Sequence, residues 1–151
     1  MVSFRQQVYQ HLLQLINSKL LALQQRQEDL RESLKQETKS TAGDKYETGR
    51  AMVHIEQENT GRQLSVLQDQ KLALEQLASP SPLQDTIVPG SLVHTSQGYF
   101  FLSIALGKTE VAGQTVYALS PSSPLGSKLM GLGPGSEVTL NGNRYTVLHI
   151  V

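Results

Sequence analysis

The sequence predicts an α+β protein: a long antiparallel α-helical coiled-coil hairpin followed by a small antiparallel β-sheet domain with one short helix. Residues 1–78 contain no proline and only three of the 12 glycines, whereas residues 79–151 contain all six prolines. Apolar residues recur at helical spacing in the first part and in short alternating runs in the second. We therefore predict a hairpin over 1–78, a linker over 79–86 and a sheet domain over 87–151.

The first helical arm shows alternating four- and three-residue spacings over about four heptads. The repeat comprises Tyr9, Leu13, Ile16, Leu20, Leu23, Gln27, Leu30 and Leu34. The return arm is less regular. The helical period is shown by Met52, Ile55, Leu64, Leu67, Leu74 and Leu77, and it is weakened in its middle by Asn59, Thr60 and Gly61. The break at Ala42-Gly43-Asp44 favours a turn between antiparallel helices, with its tip at about residues 39–50. An arm of about 33 residues would be about 50 Å long. This length would allow the tip to contact a site far from the second part of the chain.

Short alternating runs separated by turn residues predict the strands of the second part. The runs are SLVHT, GYFFLSIAL, TVYAL, EVTL and RYTVLHIV, and Asn141-Gly142 before the last run is a strong hairpin signal. SPLGSKLMG predicts a short helix with Ser123 as N-cap, Pro124 at the first helical position and Gly131 at its end. Packing of the sheet on this helix is expected to bury Val93, Phe101, Ile104, Val116, Leu125, Leu129, Val138, Tyr145 and Val147.

Composition and charge argue against several function classes. The formal net charge is zero, so no bulk attraction to nucleic acid or to an acidic membrane is expected. Without cysteine, the chain has no disulfide, thiolate zinc site or cysteine nucleophile. The N-terminal sequence lacks the apolar core of a signal peptide, and no apolar run approaches the roughly 20 residues of a membrane span. We expect a soluble, cytoplasmic protein.

Two segments carry a resemblance to a known family. SPSSPLGSKLMGLGPGSEVTLNGNRYTVLHIV contains a Ser-Pro loop, a short helix, a glycine-rich turn and a closing pair of strands, and Gly43-Asp44-Lys45-Tyr46-Glu47 follows the pattern Gly-Asp-x-x-Glu. Both segments, and the order of parts over nearly the whole chain, resemble the bacterial Gre family of transcript-cleavage factors. The resemblance implies an FKBP-like fold for residues 87–151.

The resemblance also implies a function in transcription elongation. In Gre factors the hairpin enters the secondary channel of bacterial RNA polymerase, and the globular domain docks at the channel rim. By this likeness Asp44 and Glu47 would be donated to the polymerase active site and would share a Mg²⁺ ion with it. Backtracked RNA would then be cleaved, so the chain would meet the nascent RNA 3′ end only indirectly. The chain is expected to be a monomer, with no enzyme activity and no cofactor of its own.

The same likeness implies one further set of contacts, and the positive charges around the tip suggest another. The docking residues at the polymerase rim would be Ser120, Pro121, Ser123, Pro124 and Leu125. Lys39, Lys45 and Arg50 would contact RNA or offset the negative charge of the catalytic centre. The alternative is that these three residues only form a charged, solvated helix surface. Asp44 and Glu47 also fit a helix-capping pattern, which is compatible with metal binding.

Two other hypotheses stay open. Gre factors continue the tip with Asn-Ala-Glu-Tyr, whereas this chain has Thr48-Gly49-Arg50-Ala51. This departure favours a regulator or inhibitor that occupies the channel without promoting cleavage. The glutamine-rich helix faces and zero net charge would instead suit a coiled-coil interaction module unrelated to transcription.

Other residues have simpler explanations. The four histidines are scattered at unrelated spacings, so no zinc site is expected. Tyr99-Phe100-Phe101 is typical of a strand in a core rather than of a base-stacking surface. The chain has no tryptophan and few aromatic residues, which argues against the aromatic-lined pocket on which proline isomerisation relies.

Overall fold

A computed structural model describes residues 3–39, 43–79 and 85–151, except for the side chains of residues 37–39 and 43–48. Two long helices are followed by a six-stranded mixed sheet and one short helix, which confirms the α+β prediction. The elements are α1 (Phe4–Lys39), α2 (Gly43–Glu75), β1 (Leu92–Thr95), β2 (Gly98–Leu102), β3 (Gly107–Val111), β4 (Gln114–Leu119), α3 (Pro124–Leu129), β5 (Glu137–Leu140) and β6 (Asn143–Ile150).

The chain forms two compact units. Gln14–Lys71 forms one unit, which contains most of both long helices. The other unit combines Met1–Leu13 with Leu72–Val151, so it contains the sheet, α3, the start of α1 and the end of α2. Residues 80–84, most of the predicted linker, lie outside the described residues.

Within Gln14–Lys71 the two helices pack as an antiparallel hairpin. Arg26 Nη2 lies 3.0 Å from Glu56 Oε2, and a Cβ at Gly61 would lie 3.7 Å from Gln27 Nε2. The repeat predicted on the first arm faces inward: Ile16 and Leu20 are buried, and the members from Leu23 to Leu34 are half-buried.

At the start of the return arm, the apolar period does not lie on the inward face of the helix. Met52 is 63 % exposed and Ile55 is 57 % exposed, although both belong to that period. Counting back from Leu64 by four and three residues reaches Thr60, which is buried, and Gln57 and Val53, which are half-buried. Polar side chains occupy part of this inward face, so apolar periodicity alone selected residues on the wrong side of the helix.

The sheet has the strand order β3-β4-β2-β1-β6-β5. β2 and β4 pair in parallel, so the expectation of a purely antiparallel sheet was wrong. β3, which was not predicted as a separate strand, forms a hairpin with β4 and brings β4 beside β2. Its two-residue turn has Ala112 at φ 51° and Gly113 at φ 77°, both in the left-handed region. Asn141 and Gly142 at φ 51° and 81° form the predicted β5–β6 turn.

The two faces of the sheet bury different residues. Val93 and Phe100 belong to the core cluster that includes Leu129 of α3. Phe101, expected on that face, lies on the opposite one, where Arg5 of α1 stacks over its ring at 5.5 Å. Strand alternation explains the error, because consecutive residues point to opposite faces. Seven of the nine residues predicted as core are buried, and Leu125 and Tyr145 are half-buried.

The first turns of α1 contact that opposite face through side chains. The Phe4 and Tyr99 rings meet edge to face at 4.9 Å, and His11 Nε2 hydrogen-bonds Thr109 Oγ1 at 2.8 Å. Val8 and Leu12 between them are fully buried. The start of α1 is therefore an integral part of the sheet unit.

Arg5 connects three distant parts of this unit. Its Nε donates to the Gly90 carbonyl at 2.8 Å, while Nη2 and Nη1 donate to the Leu77 and Ala78 carbonyls at 2.7 and 3.5 Å. Burial lowers the pKa of the guanidinium, and Tyr9 acts in the opposite direction. Residues 77 and 78 follow the last turn of α2, where carbonyls lack intrahelical partners. Arg5 thus caps the end of α2 with a positive charge, the sign that the helix dipole favours there.

We expect Arg5→Met to lower the free energy of unfolding by about 3 kcal/mol, because it leaves three carbonyls without their charged donor. Urea denaturation followed by circular dichroism measures the change. Arg144→Met is the matched control, since Arg144 is exposed on β6, and its effect should stay within about 0.5 kcal/mol. Equal losses in the two variants would contradict the role assigned to Arg5.

Candidate functional site

The tip residues predicted to act in catalysis belong to the first two turns of α2. Positions 44 and 47 are three residues apart on this helix, which begins at Gly43. The side chains of Asp44, Glu47, Lys39 and Lys45 lie outside the described residues, so their predicted contacts stay predictions. Arg50 is described and exposed on α2.

Among the described side chains, no group of three or more histidines or acids could hold a metal ion. Asp44 and Glu47 lie outside that set. Carboxylates are the hard oxygen donors that Mg²⁺ prefers, and Mg²⁺ sites commonly use only one or two of them. The donor types at the tip therefore fit a Mg²⁺ ion whose remaining ligands come from elsewhere.

The predicted docking loop is ordered by its own serines. Ser123 Oγ donates to the Ser120 carbonyl at 2.7 Å and accepts from the Gly126 amide at 3.0 Å. Ser120 Oγ and Ser122 Oγ are 2.8 Å apart. Ser123 is the N-cap of α3 and Pro124 is at its first position, as predicted, and Gly131 follows the helix with φ 82°. The loop is thus held against the start of α3.

Gly126 allows this close approach. A Cβ atom at this position would lie 2.1 Å from the Ser120 carbonyl oxygen and 2.7 Å from Ser123 Oγ. Both distances are far below van der Waals contact, and the nearer atom belongs to the backbone. Any side chain at position 126 would therefore push the loop away from α3.

Next to this loop lies an open pocket of about 540 Å³, here called the aromatic pocket. Its lining combines residues from β2, β3, β4, α3 and the β5–β6 hairpin. They are Gln97, Phe100, Gly107, Tyr117, Ala118, Leu119, Ser123, Pro124, Leu125, Leu140, Asn141, Asn143 and Tyr145. Its volume falls within the range of small-molecule sites.

Three aromatic rings in the lining contact one another. Phe100 is only 5 % exposed, and the ring of Tyr117 is stacked with it at 5.0 Å and an interplanar angle of 17°. Tyr145 meets Phe100 at 5.6 Å and 81°. The expectation that so few aromatic residues cannot line a pocket was therefore wrong, because strand pairing brings three of the eight together.

The pocket unites only some of the predicted docking residues. Ser123, Pro124 and Leu125 line it, whereas Ser120 and Pro121 do not. Sequence reasoning missed Phe100, Tyr117 and Tyr145 as site residues. Phe100 lies opposite Tyr117 because β2 and β4 pair in parallel. These two strands are separated in the sequence by β3, so no turn signal indicates that they pair.

The helical hairpin has an apolar groove of its own, also of about 540 Å³. It is lined by Lys19, Ala22, Leu23, Arg62, Gln63, Val66 and Leu67. Large apolar side chains are also exposed along the hairpin, among them Leu21 at 69 % and Val66 at 58 %. Such a surface is available for contact with another macromolecule.

Comparisons with known proteins leave the family of this chain open. No protein-family model matches the chain, and neither a curated protein nor a solved structure matches it. Among the helices in the described ranges, none combines the length and apolar character needed to cross a bilayer.

We expect Gly126→Ala to lower the free energy of unfolding by about 2 kcal/mol or more, because the new methyl group collides with the Ser120 carbonyl. Thermal denaturation measures the effect. Gly61→Ala is the matched control on α2: its Cβ has ordinary contact space, and alanine is the better helix former, so stability should rise by up to about 1 kcal/mol. A neutral Gly126→Ala would contradict the described loop geometry.

Proposed function

We propose that this chain is a Gre-like transcription elongation factor that enters the secondary channel of RNA polymerase and promotes cleavage of backtracked RNA. The observation that carries the proposal is an antiparallel helical hairpin with the Gly-Asp-x-x-Glu pattern at the start of its second helix. An FKBP-like fold for the sheet unit and a cytoplasmic location are part of the same proposal.

The form of the hairpin supports insertion into a partner. Its second helix has 33 residues, about 50 Å at the rise of an α-helix. Exposed apolar residues such as Leu21, Met52 and Val66 would be buried by the walls of a channel.

The chemistry of the tip supports a role beside a nuclease centre. Two carboxylates at positions 44 and 47 would supply oxygen ligands to a Mg²⁺ ion that the polymerase also holds. A second metal ion in phosphodiester hydrolysis activates water and stabilises the leaving oxygen. The polymerase would supply the rest of the active site, so this chain alone would not cleave RNA.

In a transcript-cleavage assay on stalled elongation complexes, we expect the wild-type chain to release short 3′ RNA fragments. Asp44→Ala with Glu47→Ala should slow the release by at least about tenfold, because the oxygen ligands are lost. Glu58→Ala with Asp69→Ala is the matched control: it removes the same charge from two exposed positions on α2 and should leave the rate unchanged. A wild-type chain that binds polymerase yet releases no RNA would refute the cleavage function.

A second candidate function, occupation of the channel without cleavage, is favoured by Thr48-Gly49-Arg50 at the tip. A positive charge near two acids would weaken their attraction for a metal ion. Such a regulator would act by excluding other molecules from the channel.

For this second function, we expect the chain to compete with a Gre factor for polymerase and to alter promoter-dependent RNA synthesis. Both effects should survive the Asp44→Ala, Glu47→Ala double change, because occupation does not need the carboxylates. Competition binding and abortive-transcript yields provide the measurements. If the double variant binds normally but every effect disappears, the second function is excluded.

A further inference from the structure

The lining of the aromatic pocket selects for an uncharged ligand. None of its thirteen lining residues is an acid, a lysine, an arginine or a histidine. A charged group entering between Phe100, Tyr117 and Tyr145 would lose hydration without gaining an ionic partner. An apolar group would instead bury its surface against the rings.

Polar groups in the lining offer hydrogen-bond donors and acceptors to a peptide backbone. Among the described residues, neither the Tyr117 nor the Tyr145 hydroxyl has a hydrogen-bond partner in the protein. Asn141 and Asn143 are exposed, and each carboxamide offers both donors and an acceptor. Peptide groups need both kinds of partner, whereas a purely apolar small molecule needs neither.

The position of the pocket in the sheet also favours an extended segment. Gly107 belongs to β3 and Leu140 to β5, the first and last strands in the sheet order, and both line the pocket. β3 is therefore an edge strand beside the pocket. Edge strands present unpaired backbone groups that can add an extended peptide.

We propose that the aromatic pocket binds an extended peptide segment by accepting one of its uncharged apolar side chains. Phe100, Tyr117 and Tyr145 surround the side chain, while the tyrosine hydroxyls and the two asparagines contact the neighbouring peptide groups. The proposal itself does not rest on the hairpin or on the proposed function in transcription.

The probe is acetyl-Ala-Ala-Leu-Ala-Ala-amide, titrated into the ¹⁵N-labelled full chain and followed by two-dimensional NMR. We expect saturable shifts at the pocket-lining amides. Replacing the central leucine of the probe with lysine or aspartate should weaken binding by about tenfold or more. 4-Methylpentanamide, which has a leucine-like apolar group without the flanking peptide groups, should also bind more weakly than the peptide.

Variants locate the site. Leu140→Lys places a cation in the lining, outside the core cluster, and should weaken binding of the leucine probe by about tenfold. Thr139→Lys, the matched control, adds the same charge at an exposed neighbouring position outside the lining and should bind as the wild type does. Tyr117→Phe keeps the ring, loses the hydroxyl and should weaken binding by a few fold.

Three results would overturn the proposal. The first is the absence of saturable shifts with the leucine probe. The second is equal binding of the lysine, aspartate and leucine probes, or equal weakening by Thr139→Lys and Leu140→Lys. The third is equally tight binding of 4-methylpentanamide, which would show a small-molecule site in place of a peptide site.

Discussion

The hydrogen bonds of Arg5 are the constraint on which the sheet unit depends. The guanidinium joins the first turn of α1 to the end of α2 and to the turn before β1, both of which lie more than 70 residues further along the chain. None of these partners is a carboxylate: three carbonyl groups and the face of Phe101 compensate the charge. Buried charges are costly unless they are hydrogen-bonded in this way. One side chain thus holds the start of the first helix beside the end of the second.

The hairpin is held together unevenly along its length. Its inward face has buried Ile16 and Leu20 on one arm but polar Gln57 and Thr60 on the other. Apolar burial supplies most of the driving force for packing. The polar part of this face therefore stabilises the packing of the two helices less than the apolar part does. In physical terms, the hairpin would gain stability by burying its exposed Met52 and Ile55 against a partner. This feature agrees with a hairpin that functions inside a complex.

The sequence predicted the features that depend on local chemistry. Ser123, Pro124 and Gly131 mark the ends of α3, and Asn141-Gly142 forms the β5–β6 turn, because capping and positive φ restrict which residues fit. Features that depend on distant partners were missed. The parallel β2–β4 pair, the return-arm face through Thr60 and the meeting of Phe100 with Tyr145 arise from packing between remote segments. The tip acids were selected by resemblance, so their role depends on the proposed function.

The serine loop before α3 connects the two proposed binding activities of the sheet unit. Ser123 caps α3 and also lines the aromatic pocket, and Gly126 keeps Ser120 within hydrogen-bonding reach of that cap. Pro124 and Leu125 would contact the polymerase rim in one proposal and a peptide segment in the other. A partner seated on these residues covers part of the pocket lining, so rim docking and peptide binding would compete. Because linkage is reciprocal, a peptide bound in the pocket would weaken docking by the same factor by which docking weakens peptide binding.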